Sequence, residues 1–166
     1  MQKITTILRQ KLKNAERVVI LGVGSDLRSD DIAGLLTAKQ IKKNIRGTKK
    51  LPKVKVLLGA TAPENLTGEI KKYRPTHLII IDSADLGSSP GKIAVMSPSN
   101  IGGTSFCTHS LPLKVMADYL LESLRCEIIV IGIQPKNLTV GASPSKKILD
   151  AAESLAAAIT SLLQQR

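Results

Sequence analysis

Aromatic side chains are nearly missing from this chain: one Phe, two Tyr and no Trp in 166 residues. A core without rings must be built from Ile, Leu, Val and Ala. The same scarcity argues against a single-strand nucleic-acid platform, which stacks bases on aromatic rings. Cysteine is as rare. Cys107 and Cys126 are the only two, which is neither a disulfide framework nor a clustered metal motif. No apolar run approaches the roughly 20 residues that span a bilayer. The opening stretch MQKITTILRQKLKNAE lacks the long apolar run and small-residue cleavage site of a secretory signal. The expectation is a cytoplasmic protein without membrane insertion, folded as one domain over residues 1–166.

Acid is also in short supply, with 13 Asp and Glu against 24 Lys and Arg and a formal charge of +11. From Lys39 to Lys55 there are eight basic residues and no acid: Lys39, Lys42, Lys43, Arg46, Lys49, Lys50, Lys53 and Lys55. With no ring among them, they read as a solvated face or as a docking patch for an acidic protein, and not as a nucleic-acid site.

What the chain has in quantity is β-branched and aliphatic residues in short runs. RVVILGVG (17–24), VKVLLG (54–59), THLIIIDSA (76–84), KIAVMS (92–97) and EIIVIGI (127–133) read as strands. Several are apolar at nearly every position, as strands covered on both faces of a parallel sheet must be. The run 92–97 follows its predecessor too closely for a helical crossover, so it is expected to be antiparallel and at an edge. Helical patterns fall at 2–14, 30–45, 63–72, 110–124 and 143–163, the last with Ile148, Ala152, Leu155, Ile159 and Leu162 at helical spacing. The alternation predicts an α/β fold: a three-layer α/β/α sandwich around a mostly parallel sheet with an antiparallel edge strand. Ligands in such folds gather at the carboxyl ends of the strands.

The stretch LGVGSDLRSDDIAG (21–34) leaves the first strand through two glycines and then carries three aspartates within six positions. It begins like a dinucleotide loop, but Leu27 stands where the third glycine belongs. Asp26, Asp30 and Asp31 would also repel a phosphate at the start of the next helix. Two readings remain. Asp30 is an N-cap with Asp31 in the first helical turn, or the pair belongs to a cation site at the strand exit.

Asp82 ends the apolar run HLIII, an expensive place for a carboxylate without a cation or several donors. Asp85, three residues on, is better suited to closing the turn. His109 lies in FCTHSLPL, just before a helix that Ser110 would cap and Pro112 would open; a lone loop histidine is more often structural or exposed than a ligand. His77 begins the same strand that Asp82 ends, at the end opposite the proposed site, and reads as structural. Asp31, Asp82 and His109 together would offer two carboxylates and an imidazole, a set suited to borderline divalent ions such as nickel or zinc. Cys107 could approach the same place but reads more simply as a small buried filler. No Ser–His–Asp or Cys–His nucleophile pair is legible.

Four stretches between residues 18 and 135 resemble the nickel–iron hydrogenase maturation endopeptidases, most closely the hydrogenase 3 type: LGVGSDLRSDDIAG, APEN with YRPTHLIIIDSADLGSSPGKI, THSLPL and GIQP. The resemblance implies an α/β/α protease that cuts a C-terminal extension from a hydrogenase large-subunit precursor after nickel insertion. By position it implies an acid–acid–histidine metal site at Asp31, Asp82 and His109, with Asp31 and Asp82 catalytic. It also implies that the nickel comes with the precursor and is not tightly held by the free enzyme. The family loop commonly reads G-N-x-L-x-x-D-D-G-x-G; here Ser25 replaces its Asn, Ile32 its first late Gly, and Asp26 is an added acid. The competing reading is a non-proteolytic α/β module that senses a metal or docks a partner.

Overall fold

The structure, a computed structural model, describes residues 1–47, 52–103, 105–106 and 113–165. In chain order it runs α1 (Gln2–Lys11), β1 (Arg17–Val23), α2 (Ala33–Asn44), β2 (Lys53–Ala60), α3 (Thr67–Tyr73), β3 (His77–Asp85), β4 (Ile93–Met96), β5 (Ser105–Phe106), α4 (Leu113–Ser123), β6 (Glu127–Ile133) and α5 (Lys146–Gln164). Short 3-10 turns at Ser29–Ile32 and Pro63–Leu66 lead into α2 and α3. The expected helix from residue 30 therefore opens as this tighter turn and becomes α-helical only at Ala33.

The sheet has the order β2-β1-β3-β6-β4. β1 is parallel to β2 and β3, and β3 is parallel to β6. β4 closes the far edge antiparallel to β6, from Ile93 opposite Ile133 to Met96 opposite Val130. The expected antiparallel edge is thus present. The two-residue β5, which pairs with the end of β3 beyond the main sheet, is too short to show any periodicity and escaped the sequence reading.

Alternation along the strands divides the core into two layers. Val18 and Ile20 of β1, Ile79 and Ile81 of β3 and Ile129 and Ile131 of β6 face a cluster with Leu8 of α1, Ile41 of α2 and Leu155 and Ile159 of α5. Val19, Leu21, Leu78, Ile80, Ile128 and Val130 face the other way, onto Ile70 of α3 and Met116 and Leu120 of α4. Each fully buried Ile or Leu contributes about 2 kcal/mol of burial, so a ring-poor chain holds its sheet chiefly on aliphatic area, with Tyr73 and Phe106 packed against one layer. The apolar stripe of α5 read from spacing (Ile148, Ala152, Leu155, Ile159, Leu162) is buried along its whole length. Among the described residues no helix is long and apolar enough to cross a membrane.

Strand order decides where a ligand can sit. From β1 the chain crosses through α2 to β2 on one side, then through α3 to β3 on the other. The connections leaving β1 and β3 diverge, which opens a crevice at their carboxyl ends.

Candidate active site

The crevice between β1 and β3 is walled by two carboxylates. Asp31 reaches it from the Ser29–Ile32 turn after β1, and Asp82 from the exit of β3; both are fully buried. Two glycines bring the turn this close. Gly24 has φ +130°, and a Cβ there would collide with the Asp31 carbonyl oxygen. Gly34, in the first turn of α2, rests on the carbonyl oxygens of Val23 and Ile81, with no room for even a methyl group. The glycines that resemble a phosphate cradle instead let the backbone of the α2 entrance lie directly on the ends of β1 and β3.

Asp82 is held on one side only. Its Oδ1 accepts a hydrogen bond from the Ser83 amide at 2.7 Å, while Oδ2, also buried, has no hydrogen-bond partner among the described residues. Burial pushes the carboxyl well above the ordinary range; the Ser83 amide offsets part of this, and the charge of nearby Asp31 raises it further. A buried acid beside a second acid, with one oxygen unengaged, is a site for a cation or a transferable proton.

Asp30 does something else. It does not cap a helix: the Ser29–Ile32 turn has no side-chain cap. Its fully buried carboxylate accepts from the amides of Lys136 (2.7 Å), Asn137 (3.1 Å) and Ser145 (2.6 Å) and from the Ser145 hydroxyl (2.9 Å). The Asp30 amide in turn donates to the Asn137 carbonyl at 3.1 Å. The β1–α2 loop is thereby clamped to the β6–α5 loop, and Asp31 is set in place by its neighbour. Asp26 is exposed. The three aspartates of the loop thus have three different fates.

Other motif residues serve the frame. Asp85 accepts from the Gly87 amide at 3.1 Å, closing the turn after β3 as its sequence position suggested. Gln134, from GIQP, accepts from the amides of Leu86 (2.7 Å) and Ser88 (3.2 Å), tying that turn to the end of β6. His77 lies at the opposite, amino end of β3, with Nδ1 3.0 Å from Thr76 Oγ1 and Nε2 3.7 Å from Glu127. Glu64, from APEN, follows β2 on the same edge as the site; its Oε2 is buried without a hydrogen-bond partner among the described residues. One Glu in a loop carries no periodic signal, so its sequence position did not mark it. His109, Cys107, Ser110 and Pro112 lie outside the described residues, as do Lys49 and Lys50. Among the described residues no group of three ligating side chains forms.

Two further features stand apart from the crevice. Cys126 precedes β6 at the amino ends of the parallel strands, half-buried, with its thiol pushed up to about 11 by desolvation and so poorly nucleophilic. A groove of about 640 Å³ runs between α1, β4 and α5, and neither Asp31 nor Asp82 lines it.

A doubly wound sheet with paired buried acids at its switch point defines a class of α/β protein with its chemistry at the strand ends, and comparison with known proteins makes the class specific. The sequence profile of the hydrogenase maturation protease family matches residues 35–162. The hydrogenase 3 maturation protease of Escherichia coli K12 is 35% identical over 138 residues, covering 82% of this chain and 85% of its own length. Among solved structures, the NiFe hydrogenase maturation protease HycI of Thermococcus kodakarensis superimposes with a TM-score of 0.84 at 32% identity, covering 95% of this chain and 98% of the other. The endopeptidase HycI of Escherichia coli does so at 0.75 and 33%, covering 87% and 89%. The chain belongs to the hydrogenase maturation protease family, enzymes that hydrolyse peptide bonds.

Proposed function

We propose that this protein removes the C-terminal extension of a nickel–iron hydrogenase large-subunit precursor after nickel insertion, reading the precursor's nickel with Asp31, Asp82 and His109. The observation that carries this reading is the buried Asp31–Asp82 pair, with Asp82 Oδ2 unengaged among the described residues. Two buried carboxylates near enough for the charge of one to raise the pKa of the other favour a divalent cation. The nickel arrives as cargo of the substrate, so the site is complete only when a loaded precursor is docked. The attacking group is a water. Its oxygen adds to the scissile carbonyl, its proton passes to an aspartate, and the C–N bond breaks as the departing amine takes up a proton.

Incubation with a nickel-loaded large-subunit precursor, followed by mass analysis of the precursor's C-terminus, tests the proposal. A shortened subunit supports it. Binding or metal transfer without shortening would favour the non-proteolytic metal-sensing module instead. Asp31→Asn, Asp82→Asn and His109→Ala are each expected to lower processing by at least about 100-fold, since each removes a ligand of the proposed site.

A further inference from the structure

The clamp made by Asp30 holds more than Asp31. Among the described large apolar side chains, Val140 and Leu27 have the greatest exposure, 71% and 69%. They are far apart in sequence, yet the Gly141 amide donates to the Leu27 carbonyl at 2.9 Å, which sets the two loops side by side, Leu27 in the stretch that leads from β1 to Asp31. Single exposed apolar residues are ordinary and need no explanation. This pair differs in how firmly its loops are fixed. Besides the bonds to Asp30, the Ser29 hydroxyl donates to the Ser143 carbonyl at 3.0 Å, from a residue held at φ +39°. Asn137 Oδ1 accepts from both the amide (3.0 Å) and the hydroxyl (2.6 Å) of Thr139, fixing the turn that presents Val140. A buried carboxylate and a left-handed serine are costly devices, and here they maintain a shape that leaves two aliphatic side chains in water on the loops that Asp30 ties together.

Building on the protease reading above, we propose that Leu27 and Val140 form a rigid apolar lip that docks against an apolar surface of the precursor next to its scissile segment. The lip belongs to the same clamped unit as Asp31, so a precursor seated on it is placed in register with the acids. Because the loops are already ordered, docking costs little conformational entropy. The contact is apolar and works independently of the charge of the Lys39–Lys55 stretch.

The test is Leu27→Ser with Val140→Ser, singly and together, on the full chain. Both sites are exposed, so the variants should melt within a few degrees of the parent. With a nickel-loaded precursor, the double variant is expected to raise KM about tenfold with kcat nearly unchanged, a contact of the hot-spot kind. That rise should persist in high salt. An unchanged KM would overturn the lip and leave the protease intact. If the parent binds the precursor without cutting it, the protease reading fails, and direct binding decides the lip: weaker capture by the double variant supports it, equal capture overturns it. A parent that neither cuts nor binds the precursor overturns both. Sedimentation of the parent as a dimer and of the double variant as a monomer would assign the lip to a second copy of this chain and overturn the precursor as its occupant.

Discussion

Gly34 in α2 rests against the carbonyl oxygen of Ile81 in β3, at a distance no side chain could share. This contact sets the depth of the crevice, because the turn bearing Asp31 leads directly into the same helix. Gly34→Ala is expected to push α2 off the strand ends and cost more than about 3 kcal/mol, the range of severe core substitutions. Thermal melting reads the loss. Processing should fall as well, because retreat of α2 carries Asp31 away from Asp82. An alanine variant of native stability and activity would contradict this account of the site.

The loop aspartates should separate cleanly by stability. Asp30→Ala strands the amides of Lys136, Asn137 and Ser145 and is expected to cost roughly 3 kcal/mol. Asp26→Ala, on the exposed side of the same loop, should stay within about 0.5 kcal/mol of the parent. Urea denaturation of the two variants side by side makes the comparison.

Asp82 gives a signed pH dependence. Its carboxyl lies well above 3.8 in the folded state, chiefly through burial. A group raised in this way favours the fold while protonated. That contribution is complete below the unfolded value of 3.8 and is lost progressively as pH rises from there through the raised folded value. Asp82→Asn cannot ionise, so in chelator-treated protein it should become more stable relative to the parent as pH rises from 4 toward neutrality. Melting temperatures across that range would show it. A parent-to-variant difference that does not change with pH would mean that Asp82 is not desolvated in solution.

The basic stretch offers a kinetic prediction. Lys55 already has a partner in Glu69 at 2.7 Å, supplied by α3 from outside the run. Lys42, Lys43 and Arg46 carry their charge near the end of α2. Replacing these three with Gln should slow association with the precursor severalfold at low salt. The effect should shrink as the screening length falls to about 8 Å at physiological salt, while turnover at saturating precursor stays the same. Stopped-flow association across a salt series is the measurement. Rates insensitive to both would leave the stretch a solvated face.

Much of this protein is determined by its sequence alone. Short β-branched runs such as HLIII and EIIVIGI read as strands buried on both faces, and the spacing of Leu155, Ile159 and Leu162 reads as a helix face, because period and hydropathy are local properties. Asp31 and Asp82 stood out for a similar reason: acids at strand exits are conspicuous against apolar neighbours. What each loop aspartate does was not legible. Asp26, Asp30 and Asp31 are chemically the same residue within six positions, and only the return of the chain more than 100 residues later distinguishes them. That return brings the amides of Lys136, Asn137 and Ser145 onto Asp30 and leaves Asp31 to face Asp82. The same long-range packing makes Gly24 and Gly34 spacers between helix and sheet. It also placed Leu27 beside Val140, since hydrogen bonds and close contacts between distant segments depend on where the chain returns, and local pattern carries no record of that.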